Sequence, residues 1–295
     1  MNNEMKIKLI LSSAALLLAG VFFVINDAII NFLSIQNVKF YHFIFYGTPA
    51  YLSVPVYLII KGNFKKKMYA TNYYIPLFRG LIFAPIPLFT FISLKNISLP
   101  EFTTLNMSSP LFAGLFSLFL LKEKLNTYII ISLSFGILGV FLVVQPGFES
   151  FNIFFLLTLF GSFLITFTTF ITNKYNKVTS TIGYFIYGGL FIHPLSFFLF
   201  VLDPISVSLD VFLMITLASV LINIAIFLSV YAFIKSQKYY ASIFCLVYLQ
   251  ILWSSIIGFI FFNEFLNNIA LSGAAFIVLS GLISIPGQMK QVNEK

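Results

Sequence analysis

Charge is what this chain lacks. Only 9% of its 295 residues are Asp, Glu, Lys or Arg, while 60% are hydrophobic and the mean hydropathy is +1.01. A soluble domain carries about 25% charged residues, so too little polar surface exists here to keep a folded chain in water. Cysteine is nearly absent too. Cys245 alone excludes an intramolecular disulfide, and it leaves the redox compartment unread. The two histidines, His42 and His193, lie far apart, and no carboxylates are paired within one helix or loop. The clustered acid, base or metal ligands of a membrane enzyme such as a lipid transferase are therefore missing, and neither a metal nor a cofactor is expected. No nucleotide-binding P-loop supports direct ATP drive. Nor does a ring of like charges or a filter-like glycine run mark a channel.

What is present is a series of long apolar runs, roughly at 7–27, 38–60, 72–94, 102–121, 127–145, 152–173, 179–202, 210–234, 239–262 and 268–286. A hydrocarbon core of ~30 Å needs about 20 residues per helix, which each run meets, whereas barrel strands need only about 10 alternating residues. Lysines sit in alternate gaps. With a cytoplasmic N-terminus, fourteen of them (Lys6, Lys8, Lys61, Lys65, Lys66, Lys67, Lys122, Lys124, Lys174, Lys177, Lys235, Lys238, Lys290 and Lys295) fall inside and only Lys39 and Lys95 outside. Membrane insertion sorts charge this way. The pattern predicts an all-α polytopic membrane protein of ten transmembrane helices with both termini cytoplasmic. The net charge of +8 is loop lysine that sets orientation, so nucleic acid is not an expected partner. The first run exceeds a signal-peptide h-region and ends in Ile25-Asn26-Asp27 rather than a cleavage site, and it is read as a retained helix.

Two stretches echo each other. Leu121-Lys122-Glu123-Lys124-Leu125-Asn126 runs on to Gln145-Pro146-Gly147, and Phe262-Asn263-Glu264-Phe265-Leu266-Asn267 to Ile285-Pro286-Gly287. Glu123 and Glu264 are each separated from a Leu-Asn pair by one residue, and each lies 23 or 22 residues before Pro-Gly. The echo divides the chain into a first repeat at 1–147 and a second at 148–295, each of five helices. An odd number places the second copy upside down. Inverted repeats of this kind put a solute site near the midplane, between halves that rock to give alternating access.

These residues resemble a known family. Glu123-Lys124-Leu125 after a helix with Pro110, followed by a Gly-rich helix, resembles the EamA family of the drug/metabolite transporter superfamily. Arg79-Gly80 and Asn26-Asp27 resemble its S-adenosylmethionine-uptake type more narrowly. The resemblance implies two five-helix repeats around a cavity lined by the first, third, fourth, sixth, eighth and ninth helices. It implies a secondary carrier in a bacterial cytoplasmic membrane for an amino-acid-like, S-adenosylmethionine-like or vitamin-like solute. Many relatives carry an arginine early in the second helix, where this chain offers Tyr46. The partners expected are a small-molecule substrate and the lipid bilayer; monomer and homodimer both stay open.

Ionisable groups in hydrocarbon cost about 2.5–3.5 kcal/mol on insertion scales, so each needs a reason. Arg79, about seven residues into the third helix, either faces the cavity as a fixed cation or snorkels to cytoplasmic headgroups. Asp27, with Asn26, sits at the outer end of the first helix, to pair a cation, take a proton or cap the helix. His42 reads as an interfacial anchor beside Tyr41, and His193-Pro194 as a kink. Asn106 with Thr103 and Pro110 gives the fourth helix one polar face, and Thr166, Thr169 and Asn173 do so on the sixth. Tyr184 and Tyr187 share a face of the seventh, Asn223, Phe227 and Tyr231 of the eighth, and Gln250, Trp253 and Ser254 of the ninth. The candidate substrate-binding residues are Arg79, Asn26, Asp27, Tyr46, Asn106, Thr166, Tyr187, Asn223, Tyr231, Gln250 and Trp253. Together they suit a planar or zwitterionic solute.

Overall fold

The computed structural model describes residues 3–36, 38–121, 127–145, 151–236, 247 and 249–293. The Glu123-Lys124-Leu125 motif, Pro146-Gly147, Tyr239-Tyr240-Ala241 and Cys245 lie outside them, and the Pro110 side chain is likewise not described. The described residues are helical nearly throughout, with one isolated antiparallel bridge between Ala70 and Thr179. In chain order the helices are α1 (Asn3–Ile35), α2 (Phe40–Ile60), α3 (Phe64–Met68), α4 (Tyr74–Phe83) and α5 (Ile86–Asn96). Then come α6 (Leu99–Asn106), α7 (Ser109–Leu121), α8 (Thr127–Val144), α9 (Ile153–Lys174) and α10 (Thr181–Gly189). The last are α11 (Ile192–Leu202), α12 (Leu209–Ser236), α13 (Leu249–Ile257), which continues as a π-turn at Gly258–Phe262, and α14 (Asn268–Asn293). Among the described residues, 6 helical stretches are long and apolar enough to cross a membrane, and α8, α13 with its π-turn, and α14 supply shorter apolar ones.

Four of the predicted runs change. The sequence predicts a first run at 7–27, but α1 continues to Ile35 because Ala28-Ile29-Ile30 resumes the apolar pattern after Asn26-Asp27. The polar pair is an interior feature of a longer helix, not its end. The third and seventh runs are each split, at Ala84-Pro85 between α4 and α5 and at Leu190-Phe191 between α10 and α11. The fourth is split at Met107-Ser108 between α6 and α7. Hydropathy reads across such breaks because the residues at them stay apolar or small.

The bundle is turned inside out relative to a soluble protein. Large apolar side chains such as Ile59, Phe197, Leu213 and Leu252 are exposed, as lipid contact requires. Hydroxyls and amides face inward. Ser132 on α8 donates to the Ser280 carbonyl on α14 at 2.7 Å, and Ser280 returns the bond to the Ser132 carbonyl at 2.7 Å. Farther along, a Cβ added at Gly139 would lie 2.7 Å from the Gly273 carbonyl, and one at Gly273 would lie 2.7 Å from the Gly139 carbonyl. Beyond that, Gln145 Nε2 donates to Asn267 Oδ1 at 3.1 Å. As one residue number rises its partner's falls by the same amount, so α8 and α14 pack antiparallel. Small residues permit this close approach where no hydrophobic drive operates between helices.

Two straps tie the ends of the bundle. On the lysine-rich face, Ser180 Oγ and Thr179 Oγ1 donate to the carbonyls of Lys67 and Tyr69 at 2.8 Å each, joining the α3–α4 and α9–α10 connections. On the other face, the Lys39 ammonium donates to Asp203 at 2.7 Å, and that bond holds the Asp203 carboxyl below the usual carboxylate range. His42 Nδ1 accepts the Lys39 backbone N–H at 3.2 Å, so Nε2 donates to the Asp203 carbonyl at 2.7 Å.

Beyond the π-turn, Asn263 adopts a left-handed backbone with φ 53° and aims Glu264 at the start of α6. There Glu264 accepts the Leu99 N–H at 2.8 Å, beside the capping box of Ser98 and Glu101. Burial, more than the nearby Glu101, lifts the Glu264 carboxyl above the usual range, against the Leu99 bond.

Gly139→Val is expected to cost about 1–3 kcal/mol by overpacking the α8–α14 crossing. Gly161→Ala, whose new Cβ meets only Phe89 at 3.8 Å, is expected to be neutral, and melting of the detergent-purified protein separates the two. Because the folded Glu264 binds its proton more readily than the unfolded chain, its contribution to stability falls as pH rises from 4.5. Glu264→Gln is expected to flatten the melting-temperature profile above that pH, and an unchanged profile would refute the assignment.

Candidate functional site

A chamber of about 260 Å³ lies at the centre of the bundle. Its walls come from α1, α4, α5, α6, α9, α12 and α13, which are the helices implied by the resemblance, and also from α2, α10 and α11. Most of the wall is aromatic or aliphatic, including Phe23, Phe43, Phe83, Phe91 and Phe185. Into it project Asn26 and Asp27 from α1, Arg79 from α4, Asn106 from α6, Asn223 from α12 and Gln250 from α13. Six of the eleven candidate residues therefore meet in one place.

Arg79 is drawn inward by its neighbours' lack of side chains. A Cβ at Gly80 would lie 2.3 Å from the Tyr187 carbonyl, and one at Gly188 would lie 3.1 Å from Arg79 Nη1, so α4 and α10 close tightly only with glycine there. The guanidinium then donates from Nε to the Thr168 carbonyl at 3.3 Å and from Nη1 to the Tyr184 carbonyl at 3.1 Å. Its carbon lies 5.8 Å from the ring centroids of Phe83 and Tyr184. Arg79 is 3% exposed and lines the chamber, so it does not snorkel to the headgroups. No carboxylate among the described residues pairs with it.

On α1, Asn26 Nδ2 donates to Asp27 Oδ1 at 3.2 Å. Asn26 is 3% exposed, and its Oδ1 has no hydrogen-bond partner among the described residues. Such orphaned buried acceptors are rare and costly. Gln250 reaches the chamber through space left by Gly20, where an added Cβ would lie 3.0 Å from Gln250 Cγ.

Asn106 sits at the break between α6 and α7, where the backbone would otherwise leave carbonyls unpaired in hydrocarbon. Hydroxyls repair it. Ser109 and, from α9, Ser162 donate to the Asn106 carbonyl at 2.6 and 2.8 Å, while Thr166 donates to the Ser162 carbonyl at 2.7 Å and reaches the Ser109 carbonyl at 3.4 Å. Irregular backbone at membrane depth needs such partners.

A second joint adjoins the α10–α11 break. Thr48 donates its one proton to the Ile44 carbonyl at 2.8 Å, so His193 Nδ1, 2.9 Å away, carries the hydrogen of that contact. The His193 ring stacks on Tyr51 at 4.0 Å, and Tyr51 donates to the Ile186 carbonyl. His193 and Tyr51 both line the chamber. From the sequence His193-Pro194 is expected to form a kink, and Tyr51 is not among the candidates. The proline at 49, two residues before Tyr51, was the signal available, since it marks a stretch of α2 whose backbone needs help from side chains.

Five candidates lie elsewhere. Tyr46 donates to the Ile205 carbonyl at 2.6 Å and anchors the α11–α12 connection. Thr166, fully buried, serves the α6–α7 break as described. Tyr187 donates to the Met68 carbonyl at 3.0 Å and belongs to the lysine-face strap. Tyr231 is partly exposed on α12, two turns past Asn223 and outside the chamber wall. Trp253 is 45% exposed on the outer face of α13. A spacing of three residues leaves it about 60° from Gln250 on a 3.6-residue helix, enough to turn it from the chamber to lipid.

Trp253 is the sole tryptophan of the chain, so its fluorescence reports its position directly. In liposomes, bromine carried on lipid acyl chains is expected to quench it and aqueous iodide to leave it bright; the reverse would return it to the chamber.

Among the described residues, no group of three or more His, Cys, Asp or Glu is placed to hold a metal ion. No curated protein matches the chain. A solved structure titled only "Crystal structure of protein" superposes with a TM-score of 0.64 at 15% identity, covering 94% of this chain and 98% of that one, which is likeness of fold. Residues 6–145, up to the end of α8, match the EamA-like transporter family.

Proposed function

We propose that this protein is a secondary transporter that carries a small organic metabolite across a membrane by alternating access. The observation that carries the reading is the chamber: a solute-sized, mainly apolar cavity at the heart of a membrane-spanning bundle, into which a few separated polar groups converge. The match of residues 6–145 to a transporter family supports it. The broken helices around the chamber support it too, because interrupted membrane helices at a binding site free backbone for small rearrangements.

The architecture behind this mechanism is ten membrane helices in two inverted repeats, 1–147 and 148–295, with both termini in the cytoplasm of a bacterial cell. The antiparallel α8–α14 crossing favours it, since equivalent final helices of upside-down copies must run in opposite directions. The lysine asymmetry supports the orientation. Amino-acid-like, S-adenosylmethionine-like and vitamin-like solutes are the classes in keeping with the mixed polar and aromatic lining.

A counterflow screen of such metabolites in proteoliposomes tests the proposal. Saturable exchange of an unchanged solute is expected; linear, unsaturable flux would make the protein a channel, and chemical conversion would make it an enzyme. Asn223→Ala and Arg79→Ala are expected to lower uptake at least tenfold with membrane abundance unchanged, as 1.4 kcal/mol or more of lost solute contact requires. Wild-type kinetics in either variant would remove that residue from the site.

A further inference from the structure

A second cavity, of about 620 Å³, opens sideways from the bundle between α2 on one wall and α10, α11 and α12 on the other. Leu52, Leu190 and Phe197 on its walls are exposed, so the groove is continuous with the apolar outer surface of the bundle. The hydroxyl protons inside it are spent, since Tyr46, Thr48 and Tyr51 donate to the Ile205, Ile44 and Ile186 carbonyls. A polar solute finds little to bind there, and an empty groove would forfeit dispersion contacts along both walls. Hydrocarbon is the fitting occupant. On α2 the wall runs from Phe45 to Pro55, about 15 Å at 1.5 Å per residue, which is the depth of one leaflet of a ~30 Å hydrocarbon core.

One end of the groove is charged. Phe64 and Met68 of α3 close its lysine-rich end, packed with Tyr51, Phe185 and Ile186. A spacing of four puts those two on one helix face, which leaves Lys65, Lys66 and Lys67 to the other faces. Lys61, at the end of α2, stands just before them. None of these four ammonium groups has a carboxylate partner among the described residues. The short helix is itself held in place, because Ser180 and Tyr187 donate to the Lys67 and Met68 carbonyls. A cluster of four lysines at the foot of a membrane helix attracts anionic lipid headgroups, and this one stands at the mouth of an apolar slot. We infer that the groove binds an anionic phospholipid of the leaflet on the lysine-rich side, with its phosphate on the α3 lysines and one acyl chain between α2 and α11. Tyr51, Gly189 and His193 line both the groove and the chamber, so the seated chain also seals the side wall of the chamber against the bilayer. The lipid site does not depend on what the chamber carries.

The test reads lipid preference at two places on the purified full-length protein. Trp253, on the outer face of α13, reports the general lipid surface, and Leu52→Trp in a Trp253→Phe background reports the groove. Each is placed in mixed vesicles of phosphatidylcholine and phosphatidylglycerol, with bromine on the acyl chains of one lipid or the other. The groove reporter is expected to favour phosphatidylglycerol at least about fivefold, the effect of a single lysine at an anionic surface, and Trp253 to show no preference. Replacing Lys65, Lys66 and Lys67 together by Gln is expected to bring the groove reporter to the same even ratio. Phe197→Trp, on the facing wall, repeats the reading should Leu52→Trp fail to fold. Equal preference at both places would mean that the basic surface merely gathers anionic lipid around the whole protein, and the inference falls. It falls too if neither brominated lipid quenches the groove reporter, or if the triple Gln variant keeps the preference.

Discussion

In hydrocarbon, a backbone or side-chain polar group has no water to fall back on. Everything distinctive in this protein follows from how that demand is met. Unbroken helices such as α1, α9 and α12 meet it internally. The interrupted ones do not, and hydroxyls from a neighbour help at two of the breaks: Ser162 and Thr166 donate to carbonyls at the α6–α7 break, and beside the α10–α11 break Tyr51 donates to the Ile186 carbonyl while Thr48 accepts from His193. The many serines and threonines of α9 are thus the means by which a second helix is allowed to be irregular. Irregularity is what opens a chamber in a bundle that would otherwise pack solid.

The same demand explains why unpaired groups carry so much information here. Among the described residues, Arg79 has its guanidinium bonded to two carbonyls and no counter-ion, and Asn26 has an acceptor with nothing to accept. In a soluble protein water would complete both. Within a membrane bundle no water completes them, and both residues line one chamber. Glycines do the enabling work: Gly80 and Gly188 bring α10 close enough for Arg79 to reach its carbonyls, and Gly139 with Gly273 brings α8 and α14 into contact.

The two straps make contrasting use of polar groups. Where the chain re-enters water, tyrosine hydroxyls and short side chains hold connections together. Tyr46 grips the α11–α12 turn and Tyr187 the α3–α4 turn. Both residues carry an aromatic body in apolar surroundings and a hydroxyl at the boundary, which is the position tyrosine fills best. Their use as anchors separates them from the chamber-lining groups that they resemble by type. The Lys39–Asp203 pair, with both side chains about half exposed, orients a turn more than it stabilises the fold.

Composition and the spacing of lysines determined the class of this protein, because insertion into a bilayer sorts apolar length and positive charge along the chain before any tertiary contact forms. Most helix positions followed from that, and so did the polar residues that needed a reason to be in hydrocarbon, of which Arg79, Asn26, Asp27, Asn106, Asn223 and Gln250 share the chamber. Helix breaks were hidden, since hydropathy averages over the single residues at Ala84, Met107 and Leu190 where the chain bends. Only the tertiary structure decided which polar groups line the chamber and which serve their neighbours. Thr166, Tyr46 and Tyr187 have the chemistry of ligand contacts, but carbonyls on other helices claim their hydroxyls first. A side chain's type is written in the sequence; its hydrogen-bond partner is set by packing between distant segments, and in a medium without water the partner decides the role.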